Sequence, residues 1–286
     1  MTASSGRAAI GAHKTVALAL GAGAARGLSH IAALEALDEM GVKPVAIAGT
    51  SMGAAIGAAY AAGLSGKAIR RAVIQFAHDR AETFGRLFAA RVGRISELWT
   101  TGFSNPMLVD AEKLCAAFLP AEIPDDFAKL SIPLTVIATD LYGRCEVAFN
   151  SGALKPALAA SMAIPGLVRP VELDGRVLVD GGAVNPLPFD HLRGRADVIV
   201  AIDSSAEPVD NKGVPPPWDC LFATLQVMTH TIVGEKLRHG APDILLRPNV
   251  GIFRMLDFFQ TSAILRSAEP IKTELKSRLA ELFERA

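Results

Sequence analysis

Between Val16 and Ala62 the chain passes twice from a short apolar run through small residues into a helical pattern, and this repetition constrains the fold more than any other feature. Val16–Leu20 has the length and apolarity of a buried strand. The glycine-rich turn "GAGAARG" follows, and then Leu28, Ile31, Leu34, Leu37 and Met40 recur at helical spacing with Glu35, Asp38 and Glu39 between them. Gly41 suits the end of that helix, where a left-handed residue closes the last turn. A second run, Val45–Ala48, leads into the Ala-rich stretch from Ser51 to Ala62, a helix whose small faces let neighbours approach closely. Two strand–helix units in succession need crossover connections, and hence parallel strands buried on both faces.

Leu134–Ala138, Val198–Ile202 and the shorter Ile244–Leu246 are further β-prone runs separated by helical patterns. The fold class is therefore α/β, with a mostly parallel central sheet covered on both faces. One stretch departs from this alternation. In "VELDGRVLVDGG", Asp174-Gly175 joins two β-prone runs as a two-residue hairpin turn does, which delivers Asp180 at the end of a strand. Residues 207–219, "EPVDNKGVPPPWD", read as a proline-rich loop and not a linker, because helix and strand patterns resume after it.

Of 286 residues 50% are hydrophobic, enough for a sizeable core. Lys plus Arg and Asp plus Glu number 29 each, so no global field gathers nucleic acid. Cys115, Cys145 and Cys220 are widely spaced with no C-x-x-C pair, which reads as reduced thiols in a cytoplasm and not as a zinc or redox site. "HKTVALALGAGAA" has the order of charges, apolar run and small residues of a signal peptide, but a strand entering a glycine turn accounts for it equally. Pro44–Leu64 is long enough to span a membrane and contains Gly53-x-x-x-Gly57, yet alanine is barely apolar and Gly49, Thr50 and Ser51 interrupt it. A cytoplasmic protein without signal peptide or transmembrane helix is expected.

The letters G-T-S-M-G place Ser51 between Gly49 and Gly53, after an apolar run and before a helix. That is the context of a nucleophile elbow, in which small neighbours are needed because the turn is crowded. The loop "GAGAARG" supplies backbone N–H groups for an oxyanion just before a helix begins, and Arg26 either orients that loop or faces an anionic substrate group. A phosphate-binding turn is the competing reading, but Gly21-x-Gly23 lacks a third glycine at the dinucleotide spacing and no Gly-Lys-Ser/Thr follows. For the base, His191, His230 and His239 come after the serine in the order of a triad, although none stands in a glycine-rich or strand-terminal setting. Asp180, at the end of "RVLVD" with Gly181 and Gly182 behind it, is better placed.

"GAGAARG", "GTSMG" and "DGG", in that order, resemble the patatin-like phospholipases, including bacterial members similar to the esterase domain of neuropathy target esterase. The resemblance runs from about Val16 to about Val200, and it implies a single domain over 1–286 whose motif-bearing part is followed by a helical part from about 218. It implies a three-layer α/β/α sandwich and a serine–aspartate dyad without histidine, cofactor or metal. Ser51 matches the nucleophile, Asp180 the general base, and Gly23, Ala24, Ala25 and Arg26 the oxyanion loop. Ala24 departs from the glycine of many members and does not reach positive φ cheaply. An unshifted carboxylate is a poor base for a hydroxyl, so the dyad needs Asp180 partly desolvated and its pKa raised.

The resemblance further implies hydrolysis of a phospholipid, lysophospholipid or related acyl ester. An acyltransferase that passes the acyl group to a carrier, or a vestigial lipid-binding regulator, are the alternatives. The former would commonly have a histidine before its serine, where this chain has Thr50. Lys67, Arg70, Arg71, Arg80, Arg86, Arg91 and Arg94 face only Asp79 and Glu82 in their segment, with Phe76, Phe84, Leu87, Phe88 and Trp99 interleaved or following. This stretch reads either as a cap presenting arginines to lipid phosphates or an anionic membrane surface, or as an ordinary solvated helix pair. "IFRMLDFFQTSAIL", Ile252–Leu265, reads as an acyl-pocket lining or simply as core.

Overall fold

A computed structural model describes residues 14–78, 109–205 and 213–284. The strands are β1 (Val16–Leu20), β2 (Ala46–Thr50), β3 (Leu134–Asp140), β4 (Cys145–Phe149), β5 (Val171–Leu173), β6 (Arg176–Asp180), β7 (Val198–Ile202) and β8 (Ile244–Leu246). The helices among these residues are α1 (His30–Met40), α2 (Met52–Ala61), α3 (Gly66–His78), α4 (Ala111–Phe118), α5 (Leu154–Ser161), α6 (Pro217–Arg238), α7 (Thr261–Ala268) and α8 (Pro270–Glu284). The sheet is mixed. β8, β7, β1, β2 and β3 run parallel in that order, whereas β4, β6 and β5 join through antiparallel pairs.

The alternation of side chains along β1 separates the two covering layers. Val16, Leu18 and Leu20 face the main core with helices α1, α2, α5, α7 and α8, while Ala17 and Ala19 face Phe189, Leu192 and Val233 on the other side. Alanines on that second face let the short helical turn Phe189–Leu192 and the C-terminal half of α6 lie close to the sheet. The hairpin expected at Asp174-Gly175 forms, with φ of 51° and 72° at its two turn residues, the left-handed pair of a type I′ turn. The span-length stretch Pro44–Leu64 divides into β2 and the ten-residue α2. Among the described residues no helix is long and apolar enough to cross a membrane.

β3 organises the sheet around one point. Its residues 136–140 pair with β4 along one edge. The other edge is shared: β2 pairs in parallel with Leu134–Ile137, and β6 pairs antiparallel with Ala138–Asp140. Since β2 and β6 run in opposite senses, their C-terminal ends meet, Thr50 opposite Ile137 and Asp180 opposite Ala138. Gly181 makes this junction possible, because a Cβ there would lie 2.3 Å from the Ile137 carbonyl oxygen.

The start of α2 is equally tight against β1. A Cβ on Gly53 would fall 2.2 Å from the Leu20 carbonyl oxygen, whereas one on Gly57, a turn later, meets the side chain of Ile47 at 3.1 Å. Gly53→Ala is therefore expected to lower the unfolding free energy by at least about 2–3 kcal/mol, the upper range for overpacking, and Gly57→Ala by less than about 1 kcal/mol. Urea denaturation of the two variants checks the order, which reverses if the elbow is more pliant than the helix body.

Candidate active site

Ser51 connects β2 to α2 with φ 55° and ψ −123°, a conformation that L residues rarely adopt and that aims its side chain out of the strand-to-helix turn. Gly49 is required on the strand side of the turn, since a Cβ there would lie 2.7 Å from the backbone of Ala54. The Ser51 N–H donates to Ser161 Oγ at 2.8 Å, so the end of α5 helps hold the turn. The Ser51 hydroxyl donates to Asp180 Oδ2 at 2.5 Å. Two strands that abut on β3 thus join side chains 129 residues apart.

Asp180 is buried, with 8% of its surface exposed. Its other oxygen, Oδ1, accepts from the Gly182 N–H at 2.8 Å. Burial raises its pKa from 3.8 to about 6, against the opposing effect of the hydrogen bonds from Ser51 and Gly182. A second link fixes the spacing of the pair: Thr50 Oγ1 donates to the Asn185 carbonyl at 2.7 Å, and the Asn185 N–H donates to the Gly181 carbonyl at 2.9 Å.

The glycine-rich loop lies beside both groups, for a Cβ on Gly27 would meet the Met52 side chain and one on Gly182 would meet Ala22. Its N–H groups divide into committed and free. Those of Gly21 and Ala22 donate to Ile202 and Pro186, that of Ala25 to Met255, and that of Arg26 to Gly23. Among the described residues the N–H groups of Gly23 and Ala24 have no acceptor. Ala24 holds φ 46°, so the loop makes its left-handed turn with alanine in place of glycine. No Cβ fits at Gly23, where it would lie 2.8 Å from Ser204 Cβ.

Arg26 is buried beneath this loop, and its guanidinium meets the side-chain carbonyl of Gln226, with Nη1 at 2.7 Å when the amide is oriented oxygen-first. Burial lowers its pKa to about 10, partly offset by Asp203, so it stays charged. His30 supports the loop from below: fully buried and with its pKa pushed down to about 4, it is neutral, and its Nε2–H donates to the Gly21 carbonyl at 2.8 Å. Neither His30 nor Ser161 stood out in the sequence, where each lies inside an ordinary helical pattern.

The three histidines weighed as bases lie elsewhere. His191 pairs with Glu146, which raises its pKa; His239 pairs with Glu235 on the surface; His230 is exposed on α6. Glu146, Asp190 and His191 are close enough to hold a metal ion, but their atoms are already engaged with one another, with Asn185 and with the Lys236 ammonium. Arg70 from the basic stretch bonds Glu35 and Glu269 internally. Arg80, Arg86, Arg91 and Arg94, with Phe84, Leu87, Phe88 and Trp99, lie outside the described residues.

A family model for patatin-like phospholipases matches residues 18–193, which takes in the glycine loop, the elbow and the Asp180 strand. The chain belongs to the patatin-like phospholipase family. An NTE family protein of Mycobacterium tuberculosis is 40% identical over 188 residues, 65% of this chain and 48% of the relative. The patatin-like phospholipase domain-containing protein 7 of Rattus norvegicus is 34% identical over 66% of this chain and 13% of its own length. A lysophospholipase of Coccidioides immitis is 29% identical over 93% of this chain and 18% of its own length. The chain thus matches about half the length of the mycobacterial protein and smaller parts of the other two.

The raised pKa of Asp180 bears on stability without reference to any reaction. Below its ordinary value of 3.8 the carboxyl is protonated in both folded and unfolded chains. Between 3.8 and about 6 only the unfolded chain ionises, so folding loses stability as pH rises through this window. Asp180→Asn, neutral throughout, is expected to be more stable than the parent by about 2–3 kcal/mol at pH 8 and nearly equal to it at pH 4. Chemical denaturation at the two pH values checks this; equal stability at pH 8 would mean that the carboxylate is well hydrated.

Proposed function

We propose that the protein hydrolyses carboxylic esters of phospholipids or lysophospholipids through an acyl-enzyme on Ser51, with Asp180 as the only side chain that moves the proton. The observation that carries this reading is the 2.5 Å hydrogen bond from the Ser51 hydroxyl to a buried carboxylate, with no imidazole bonded to either group among the described residues. The names of the relatives, phospholipase domain protein and lysophospholipase, support the substrate class.

In this scheme Ser51 Oγ attacks the ester carbonyl carbon while its proton passes to Asp180 Oδ2. The carbonyl oxygen becomes an oxyanion, for which the uncommitted N–H groups of Gly23 and Ala24 are the donors. As the intermediate collapses, the ester C–O bond breaks and the leaving alkoxide takes the proton from Asp180. Water then attacks the acyl-enzyme, gives a proton to Asp180, and Ser51 regains it as the fatty acid departs. A carboxyl with a pKa of about 6 fits the task, because it is ionised at neutral pH yet far more basic than an exposed aspartate.

Ser51→Ala is expected to abolish both ester hydrolysis and labelling by a fluorophosphonate. Asp180→Asn should lose 10²–10⁴-fold in kcat, the scale of a positioned general base. The parent's kcat/KM should fall on the acid side with a midpoint near 6 as Asp180 is protonated. His191→Gln, His230→Gln and His239→Gln should each cost less than about tenfold, far below the 10⁴-fold seen when a triad loses a member. A histidine variant with a triad-sized loss, or Asp180→Asn retaining over a tenth of parent activity, would refute the dyad.

A further inference from the structure

An apolar cavity of about 280 Å³ opens beside the Ser51 turn. Its floor is Met52, Ala55, Ile56 and Ala59, the i, i+3, i+4, i+7 stripe of α2 that begins at the residue after Ser51. At the far end Ala59 and Ile69 of α3 are almost wholly buried, with 2% and 1% exposed. The outer wall is aromatic: Phe118 sits 4.3 Å from Phe76 and 6.2 Å from Phe258, ring centre to ring centre. Among the described residues no charged side chain lines the space, and Gln75 and Thr261 are the polar ones. α3 is fixed against α1 by the bidentate Arg70–Glu35 pair at 2.7 and 2.8 Å, so the far end belongs to the rigid frame.

We infer that this cavity seats the acyl chain of the scissile ester, carbonyl at Ser51 and methyl end toward Ala59, and that Ala59 sets the chain length up to which hydrolysis improves. The inference rests on Ser51 being the nucleophile and adds to it a substrate dimension. Hydrocarbon suits the space because among the described residues Gln75 and Thr261 alone offer it polar side chains, and Ala55 and Ala59 leave room where larger residues would fill it. From Met52 to Ala59 the helix advances about 10 Å. An extended hydrocarbon advances about 1.3 Å per carbon, the projection of a C–C bond of roughly 1.5 Å, so the stripe accommodates about eight carbons.

The test uses p-nitrophenyl esters from butanoate to dodecanoate, each below its aggregation concentration, together with the binding of octanoate to the Ser51→Ala protein by calorimetry. For the parent, kcat/KM should rise about fourfold per added methylene, the factor for burying one CH₂, and level off near eight carbons. Ala59→Phe should move the plateau to six carbons or fewer and lower the octanoate-to-butanoate ratio at least tenfold. Ala72→Leu, which fills the cavity from the half-buried face of α3 and does not depend on the core accepting a larger residue, should lower the same ratio in the same direction. In the Ser51→Ala background, Ala59→Phe should weaken octanoate binding at least tenfold. Octanoate binding that ignores both cavity variants, or a length profile that neither shifts, would overturn the assignment of the cavity. Octanoate binding that follows Ala59 in a protein whose parent hydrolyses no ester would instead overturn the role given to Ser51 and leave the chain site standing.

Discussion

The division of one edge of β3 between two strands of opposite sense is the constraint on which the site depends. A parallel β2 and an antiparallel β6 can both end at the Ile137–Ala138 junction only if their C-terminal ends face each other. Side chains just beyond those ends then converge without any long loop reaching across. Gly181 and Gly53, with no room for a Cβ, mark where backbone crowds backbone to achieve this. The bond from Thr50 through Asn185 to Gly181 ties the two ends again one layer below. The serine–carboxylate distance is therefore a property of the sheet and not of flexible side chains.

The burial of Asp180 and the strained backbone of Ser51 follow from the same geometry. A carboxylate at a strand junction loses water, and the two hydrogen bonds it accepts do not fully replace that hydration. Its pKa stays raised, which destabilises the fold at neutral pH and makes the group a better base. Strain at Ser51 and Ala24, both at positive φ, adds to the cost of the same small region. The surroundings offset it: Ser161 holds the elbow, neutral His30 holds the Gly21 carbonyl, and Arg26 is clasped under the loop by Gln226.

Much of this was legible locally. The apolar run, small turn and helix stripe of Val16–Met40 became β1, the loop and α1 with the expected strand bounds, because short runs of fixed period leave few alternatives. Asp174-Gly175 announced its hairpin because Asp-Gly is among the few dipeptides that suit a type I′ turn. The strand β4, half exposed as "CEVAF", gave no such sign, and with it the antiparallel pairing of β4 with β3 went unseen. Ser161 and His30 were equally silent, since a backbone partner 110 residues away for one and a carbonyl 9 residues back for the other leave no mark on a helical pattern.

What the sequence determined by itself was the chemistry available at each turn: a serine between glycines at a strand–helix junction, a glycine loop before a helix, an aspartate at a strand end followed by two glycines. These are consequences of sterics within a few residues, which local letters encode. Residue chemistry alone left three histidines beside Asp180 as partners for Ser51, and the order of motifs pointed to Asp180 only through a resemblance. The tertiary structure decided which group the serine meets, which loop N–H groups remain free, and that Met52, Ala55, Ile56 and Ala59 border a space and not solid core. Those outcomes depend on strand register and helix placement between segments more than a hundred residues apart, and register is set by the summed packing of whole faces, for which no short stretch carries a signature.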